Sequence, residues 1–233
     1  MTGWPRAVVV GASGGIGSAL VARLESAGTE VAGFSRAGGG ALPPLDLTDE
    51  ASIAGAAQWC AESGPWHLVI VATGILDGRQ CSPEKSWRQI EPAGMAESFA
   101  INATGPALVA KHFLPLLPRR GRSAFAALSA RVGSISDNRL GGWYGYRASK
   151  AALNMIIRSL AIELARTRPD AFCVGLHPGT VATKLSRPHR RSGAGHHVFS
   201  PEDAAGHLLD VLDTLQPADT GRIYGWDGVE IAP

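Results

Sequence analysis

The start of the chain constrains its fold most. Residues 6–21, "RAVVVGASGGIGSALV", join an apolar β-branched run to an amphipathic stretch through a turn of glycines. Three consecutive valines suit a strand buried on both faces, as in a parallel sheet. Residues 16–28 carry apolar groups at helical spacing and stop at Gly28, a residue type favoured just past a helix end. Between the two, Gly11, Gly15 and Gly17 leave no Cβ in the way of a pyrophosphate. A helix behind them aims its N–H groups and the positive end of its dipole at the negative charge. This order predicts a dinucleotide site, with Ser13 and Ile16 in the same turn. The spacing is GxxxGxG, not the commoner GxGxxG.

Further strands are expected at 30–36, 66–74, 123–130, 172–177 and 221–226. Helical patterns lie at 46–63, 95–117, 144–167 and 201–216. Strands alternating with helices build β-α-β units, hence a parallel sheet wrapped on both faces. No linker divides the 233 residues, so residues 1–233 read as one doubly wound α/β domain of the Rossmann type. Segment 184–200, which contains "SRPHRRSGAGHH", reads as a surface loop covering the substrate. Its basic cluster fits either a solvated loop or a lid that draws in an acidic substrate.

Composition excludes several classes. A net charge of +2, with 18% charged and 45% hydrophobic residues, demands neither nucleic acid nor an acidic membrane. Cys60, Cys81 and Cys173 have no paired spacing and read as free thiols in a reducing compartment. The histidines lack carboxylates or cysteines at ligand spacing, so no metal site is expected. No apolar run reaches the ~20 residues of a membrane span. No signal-peptide pattern is visible either, and a cytoplasmic protein is expected.

The end of the second strand bears on which dinucleotide binds. An acid there would bond a ribose 2′-hydroxyl and repel a 2′-phosphate, whereas an arginine accommodates the phosphate. The chain has Ser35 and Arg36, with no acid until Asp46. NADP(H) is therefore expected over NAD(H), against the alternative of a solvated arginine at a strand end.

The stretch "GGWYGYRASKAALNM", 141–155, offers two tyrosines and one lysine. A phenol is a poor base at neutral pH unless something stabilises its anion. Tyr146 and Lys150 are one helical turn apart and share a face. The ammonium is expected to lower the tyrosine and to reach ribose hydroxyls. Tyr144 falls about 600° of helical rotation before Lys150, on the far side, and reads as a packing aromatic.

With GxxxGIG, "YRASK" (146–150) and "HPGTVAT" (177–183) together, the chain resembles the short-chain dehydrogenase/reductase family over nearly its full length. The stretch around residues 129–154 looks most like the small carbonyl reductases of the sniffer and C-factor branch. The resemblance implies a seven-stranded parallel sheet, bound NAD(P), a homodimer or homotetramer, and reversible oxidation of an alcohol to a carbonyl. It implies Tyr146 as general acid/base, Lys150 as its partner and Asn102 as holder of a relay water. It implies cofactor contacts from Asp46 and Leu47, from Ala72, Thr73 and Gly74, and from Pro178, Gly179, Val181 and Thr183. The family's NNAG is "VATG" here, at 71–74, and its threonine before the first glycine is Val10. The position three before Gly133, where the family places its catalytic serine, is Ala130. Ser129 reaches the site if the strand end bulges and is preferred; Ser134 and no serine at all remain alternatives.

The expected activity is NADPH-dependent reduction of a small carbonyl substrate. Two alternatives stand beside it: an NADP(H)-binding regulatory or signalling protein with little turnover, and an NAD-linked alcohol dehydrogenase.

Overall fold

The apolar runs become the centre of a parallel sheet in a computed structural model that describes residues 3–186 and 197–233. Its strands are β1 (Arg6–Val10), β2 (Glu30–Phe34), β3 (Leu68–Val71), β4 (Ser123–Leu128), β5 (Ala171–His177) and β8 (Ile223–Gly225). Their order is β2-β1-β3-β4-β5-β8, and every pairing is parallel. A separate pair joins β6 (Thr180–Val181) to β7 (Val198–Phe199). The main helices are α1 (Gly15–Ser26), α2 (Glu50–Ala61), α3 (Pro92–Phe99), α4 (Gly105–Phe113), α5 (Tyr144–Ala165) and α6 (Pro201–Thr214).

Strand alternation divides the core into two layers. Val8, Val10, Val69, Val71 and Phe125 face one way and pack with Ile53, Val109, Phe113, Leu153 and Ile157 of α2, α4 and α5. Ala7, Val9, Leu68, Ile70 and Phe172 face the other way and pack with Leu20, Leu24, Leu208 and Leu212 of α1 and α6. Every residue of β3 and β4 is buried, as strands covered on both faces require. Cys60, Cys81 and Cys173 are buried free thiols.

The main sheet has six strands, matching the six apolar runs and not the seven strands the family resemblance implied. After β2 the chain runs through Pro43 and Pro44. These residues have no N–H to give to a ladder; Leu45 N donates to Ser35 O at 2.9 Å, but no strand forms outside β2 among the described residues. The pattern at 95–117 is also two helices rather than one, joined by a π-helical turn at Ala100–Thr104. Pro106 cannot donate to the carbonyl of Asn102 four residues back, and the helix widens there.

From β1 the chain moves to one side for β2 and then crosses to the other side for β3. A crevice opens at such a reversal, outside the carboxyl ends of the strands. The candidate site lies there.

Candidate active site

A cleft of about 640 Å³ is lined by the segments that follow β1, β3, β4 and β5 and by the first turns of α5. Its wall after β1 is the glycine turn. The N–H groups of Gly11 and Ala12 both donate to Phe34 O, at 2.8 and 2.9 Å. Gly11 has φ +93°, and a Cβ there would lie 2.7 Å from Thr73 Cγ2. A Cβ on Gly17 would lie 2.1 Å from Gly11 O, so both positions require glycine. The helix that follows starts at N-cap Gly14, with no capping side chain and no acid in its first turn. Ser13, Gly15 and Ile16 line the cleft beside these uncapped N–H groups. A pyrophosphate fits this arrangement.

The residues expected at the adenosine end lie outside the cleft lining. Arg36 is exposed at the end of β2. Ser35 donates its hydroxyl to Gly38 O at 3.1 Å. The Asp46 carboxylate accepts from Thr48 N and Thr48 Oγ1, at 2.8 and 2.7 Å. Those two bonds, and then the Arg36 charge, hold it below the usual carboxylate range. Leu47 is buried beneath Gly105.

At the other end of the cleft, Tyr146 and Lys150 both line the wall. Lys150 is 2% exposed, and its Nζ donates to Leu128 O at 2.7 Å and lies 5.8 Å from the Tyr146 ring centroid. Desolvation pushes the ammonium down to about 8 and the phenol up to about 12. The sequence expectation of a tyrosine lowered by its lysine is therefore not what the protein alone produces. The ammonium is directed at a carbonyl, and the loss of water around the phenol prevails. Tyr144 does not line the cleft, whereas Trp143 does, edge-on to Tyr146 at 6.3 Å between ring centroids.

Asn102 sits fully buried in the π-helical turn. Its Oδ1 accepts from Ile75 N at 2.9 Å, and its Nδ2 donates to Ile75 O at 2.9 Å and Ser149 Oγ at 3.1 Å. Both amide hydrogens are thus used, and one oxygen lone pair is left. A Cβ on Gly74 would come 3.3 Å from Asn102 Oδ1 and 3.4 Å from Lys150 Nζ, so the two side chains converge there. Ala72, Thr73 and Gly74 line the cleft, as do Pro178, Gly179, Val181 and Thr183.

The two serines part company. Ser134 is buried, accepts from Asp137 N at 3.1 Å, and is absent from the cleft lining. Ser129 and Ala130 both line it. The ladder continues past Leu128, with Ser129 N donating to Leu176 O at 2.8 Å and no inserted residue. Without a bulge, the Ser129 hydroxyl is turned to α5 and donates to Asn154 Oδ1 at 2.6 Å.

Two residues escaped the sequence reading. His177, at the end of β5, lines the cleft. Burial first, and then the Arg131 charge, push it down to about 4, so the imidazole is neutral at physiological pH. Its place directly before Pro178 and Gly179 was the available signal. Glu84 is 8% exposed, and both carboxylate oxygens lie 3.2 Å from Gly145 N, in the first turn of α5. The N-cap, Trp143, has φ 51° and an indole that can only donate, so Glu84 supplies the acceptor the helix start lacks. Nothing local in the sequence points to that pairing.

Of the segment 184–200, Lys184, Leu185 and Ser186 line the cleft. Pairing of β6 with β7 returns the chain to the cleft edge at Val198. Arg187, His189, Arg190, Arg191 and His196 lie outside the described residues. His197 packs edge-on to Phe199 at 4.5 Å.

A family model for short chain dehydrogenases matches residues 5–193. The C-signal protein of Myxococcus xanthus is 36% identical over 170 residues, covering 72% of this chain and 93% of that protein. The 1-hydroxy-2-glutathionyl-2-methyl-3-butene dehydrogenase of a Rhodococcus species is 30% identical over 233 residues, covering 95% and 96%. The NADPH-bound carbonyl reductase from chicken fatty liver superposes with a TM-score of 0.85 at 27% identity, over 98% of this chain and 94% of that one.

Proposed function

This chain belongs to the short chain dehydrogenase family of NAD(P)-dependent oxidoreductases, and from that premise we propose an NADPH-dependent reductase of small carbonyl compounds. The observation that carries the reading is the pairing of Tyr146 and Lys150 in the cleft at the sheet's reversal point. When bound, the nicotinamide supplies hydride to the carbonyl carbon. The Tyr146 hydroxyl, held up to about 12, keeps its proton at neutral pH and gives it to the developing alkoxide. Lys150 stabilises the tyrosinate left behind. Asn102, with one lone pair unused, orders the water that resupplies the proton. Ser129 is the cleft-lining serine at the end of β4 and assists only when Asn154 releases its hydroxyl.

The same premise assigns the cofactor contacts. Gly11, Ser13, Gly15, Ile16 and Gly17 take the pyrophosphate, and Ala72, Thr73 and Gly74 line its path. Pro178, Gly179, Val181 and Thr183 hold the nicotinamide end. Ser35 and Arg36 take a 2′-phosphate, with Asp46 and Leu47 beside the adenine. A second copy of the chain is proposed to cover Met155 and Ile162, apolar side chains 67% and 49% exposed on α5.

Oxidation of NADPH in the presence of ketones, aldehydes and quinones tests the activity. Turnover with at least one class is expected; tight NADPH binding with no turnover of any would overturn it. Arg36→Asp should move the NADPH-to-NADH preference by about tenfold or more towards NADH, and an unchanged preference would refute the phosphate role. One observation favours a second reading, a dinucleotide-binding signalling protein. Ala130 leaves the site without the family's serine, and a relative carries the name C-signal. The same turnover panel separates the two.

A further inference from the structure

We propose that Arg131 forms an anion subsite in the cleft, and that the carbonyl substrate carries a carboxylate. The proposal rests on the reductase reading above and names the class of its substrate. Arg131 follows Ala130 at the carboxyl end of β4, on the wall shared with Tyr146. Among the described residues, the charged side chains lining the cleft are Arg131, Lys150 and Lys184, and no Asp or Glu lines it.

These three cations have different surroundings. Lys150 is buried and donates to Leu128 O. Lys184 follows Thr183, whose Cγ2 lies 3.1 Å from the Cβ position of Gly15, so it belongs to the phosphate wall. Arg131 lies two strands away from that wall, beyond β3, in the short turn Arg131–Gly133 that follows β4. Two strand spacings are roughly 10 Å, too far for it to share the pyrophosphate charge.

Nor does Arg131 hold the loop that carries it. Arg147 does so by donating to Gly142 O at 3.1 Å and Val132 O at 3.3 Å. Arg139 donates to Ser136 O at 2.9 Å. The nearest acid to Arg131 is Asp137 at 3.8 Å, and both side chains are about half exposed. An ion pair of that length and exposure is weak. The guanidinium fork is therefore available to two oxygens of a carboxylate. Neutral His177 lines the same end of the cleft and adds no competing charge.

The test uses matched oxo acids and their methyl esters, with one to four carbons between carbonyl and carboxylate. NADPH oxidation is followed in wild type, Arg131→Gln, Arg131→Lys and Arg139→Gln. Wild type should favour the best acid over its ester by about tenfold or more in kcat/KM. Arg131→Gln should bring the ratio close to one, mainly through KM, and Arg131→Lys should restore part of it. Arg139→Gln should keep the wild-type ratio. A wild-type preference for esters, or an unchanged ratio in Arg131→Gln, would overturn the subsite while leaving the reductase reading intact. If no acid or ester is turned over, calorimetry with the matching hydroxy acid and the NADPH complex, a pair that cannot exchange hydride, decides. Equal affinity in wild type and Arg131→Gln refutes the proposal, and a tenfold loss in the variant supports it.

Discussion

The two walls flanking the reacting centre are built differently. On the α5 wall and beside it, polar groups are held by defined partners: Lys150 by Leu128 O, Asn102 by both backbone polar groups of Ile75, and Gly145 N by the Glu84 carboxylate. On the β4 wall, Ala130 stands where the family has its serine, and the Ser129 hydroxyl is turned to Asn154. On the proposed reading, the proton-transfer half of the site is pre-organised, whereas the carbonyl-polarising half is one residue out of register. A single step along a strand reverses a side chain's face. That is enough to separate two functions that act together in catalysis.

Lys150→Met tests the α5 wall and has the larger expected effect. Removing the charge should lower kcat by about a hundredfold or more, measured as single-turnover NADPH oxidation. A loss under tenfold would show that this wall does not carry the chemistry. The same variant changes the pH dependence of stability. Lys150 titrates at about 8 in the folded protein, against an ordinary value of 10.5. Between those values the unfolded chain binds more protons at this group, so the group's own contribution to stability rises through that window, by roughly 3 kcal/mol. Cys60, Cys173 and Tyr146, all pushed up to about 12, contribute in the opposite sense. Denaturant unfolding at pH 8 and pH 10 should show the stability difference between wild type and Lys150→Met growing with pH by about 2 kcal/mol, because the buried thiols Cys60 and Cys173 lose stability over the same window in both proteins and cancel.

The β4 wall offers the next contrast. Ala130→Ser restores a hydroxyl at the family's position and should raise kcat by about tenfold. Ser129→Ala should lower it by about tenfold at most, because its proton already serves Asn154. If Ser129→Ala proves the more damaging and Ala130→Ser does nothing, the register argument fails.

The smallest effect belongs to the helix start. Glu84→Ala removes the acceptor for Gly145 N and should cost about 1–2 kcal/mol of stability in chemical denaturation. Glu84→Gln, which keeps an acceptor oxygen, should recover most of it. No loss in the alanine variant would mean that water caps the helix equally well.

What could be read in advance follows the same division. "LVIV" and "RAVVV" declare buried strands because both faces of each are covered, and the glycine turn could be placed at the cleft because close approach excludes a Cβ. Tyr146 and Lys150 could be paired because their relation is local, a single helical turn. Glu84 and Gly145 are 61 residues apart, and Ser129 and Asn154 are 25 apart. No periodicity connects such pairs; only the packing of α5 against the sheet and against the loop after β3 brings them together. The seventh strand drawn from family resemblance is not formed outside β2 among the described residues, and Pro43 and Pro44 there did not exclude it in advance, because a sheet edge tolerates proline.

The central claim is that Tyr146, and not its neighbour Tyr144, moves the proton. The most direct measurement compares Tyr146→Phe with Tyr144→Phe in NADPH-dependent carbonyl reduction, with NADPH affinity measured in parallel by fluorescence. The account predicts that Tyr146→Phe loses about a thousandfold in kcat, with affinity within a few-fold of wild type, and that Tyr144→Phe stays active. An active Tyr146→Phe beside an inactive Tyr144→Phe would contradict it.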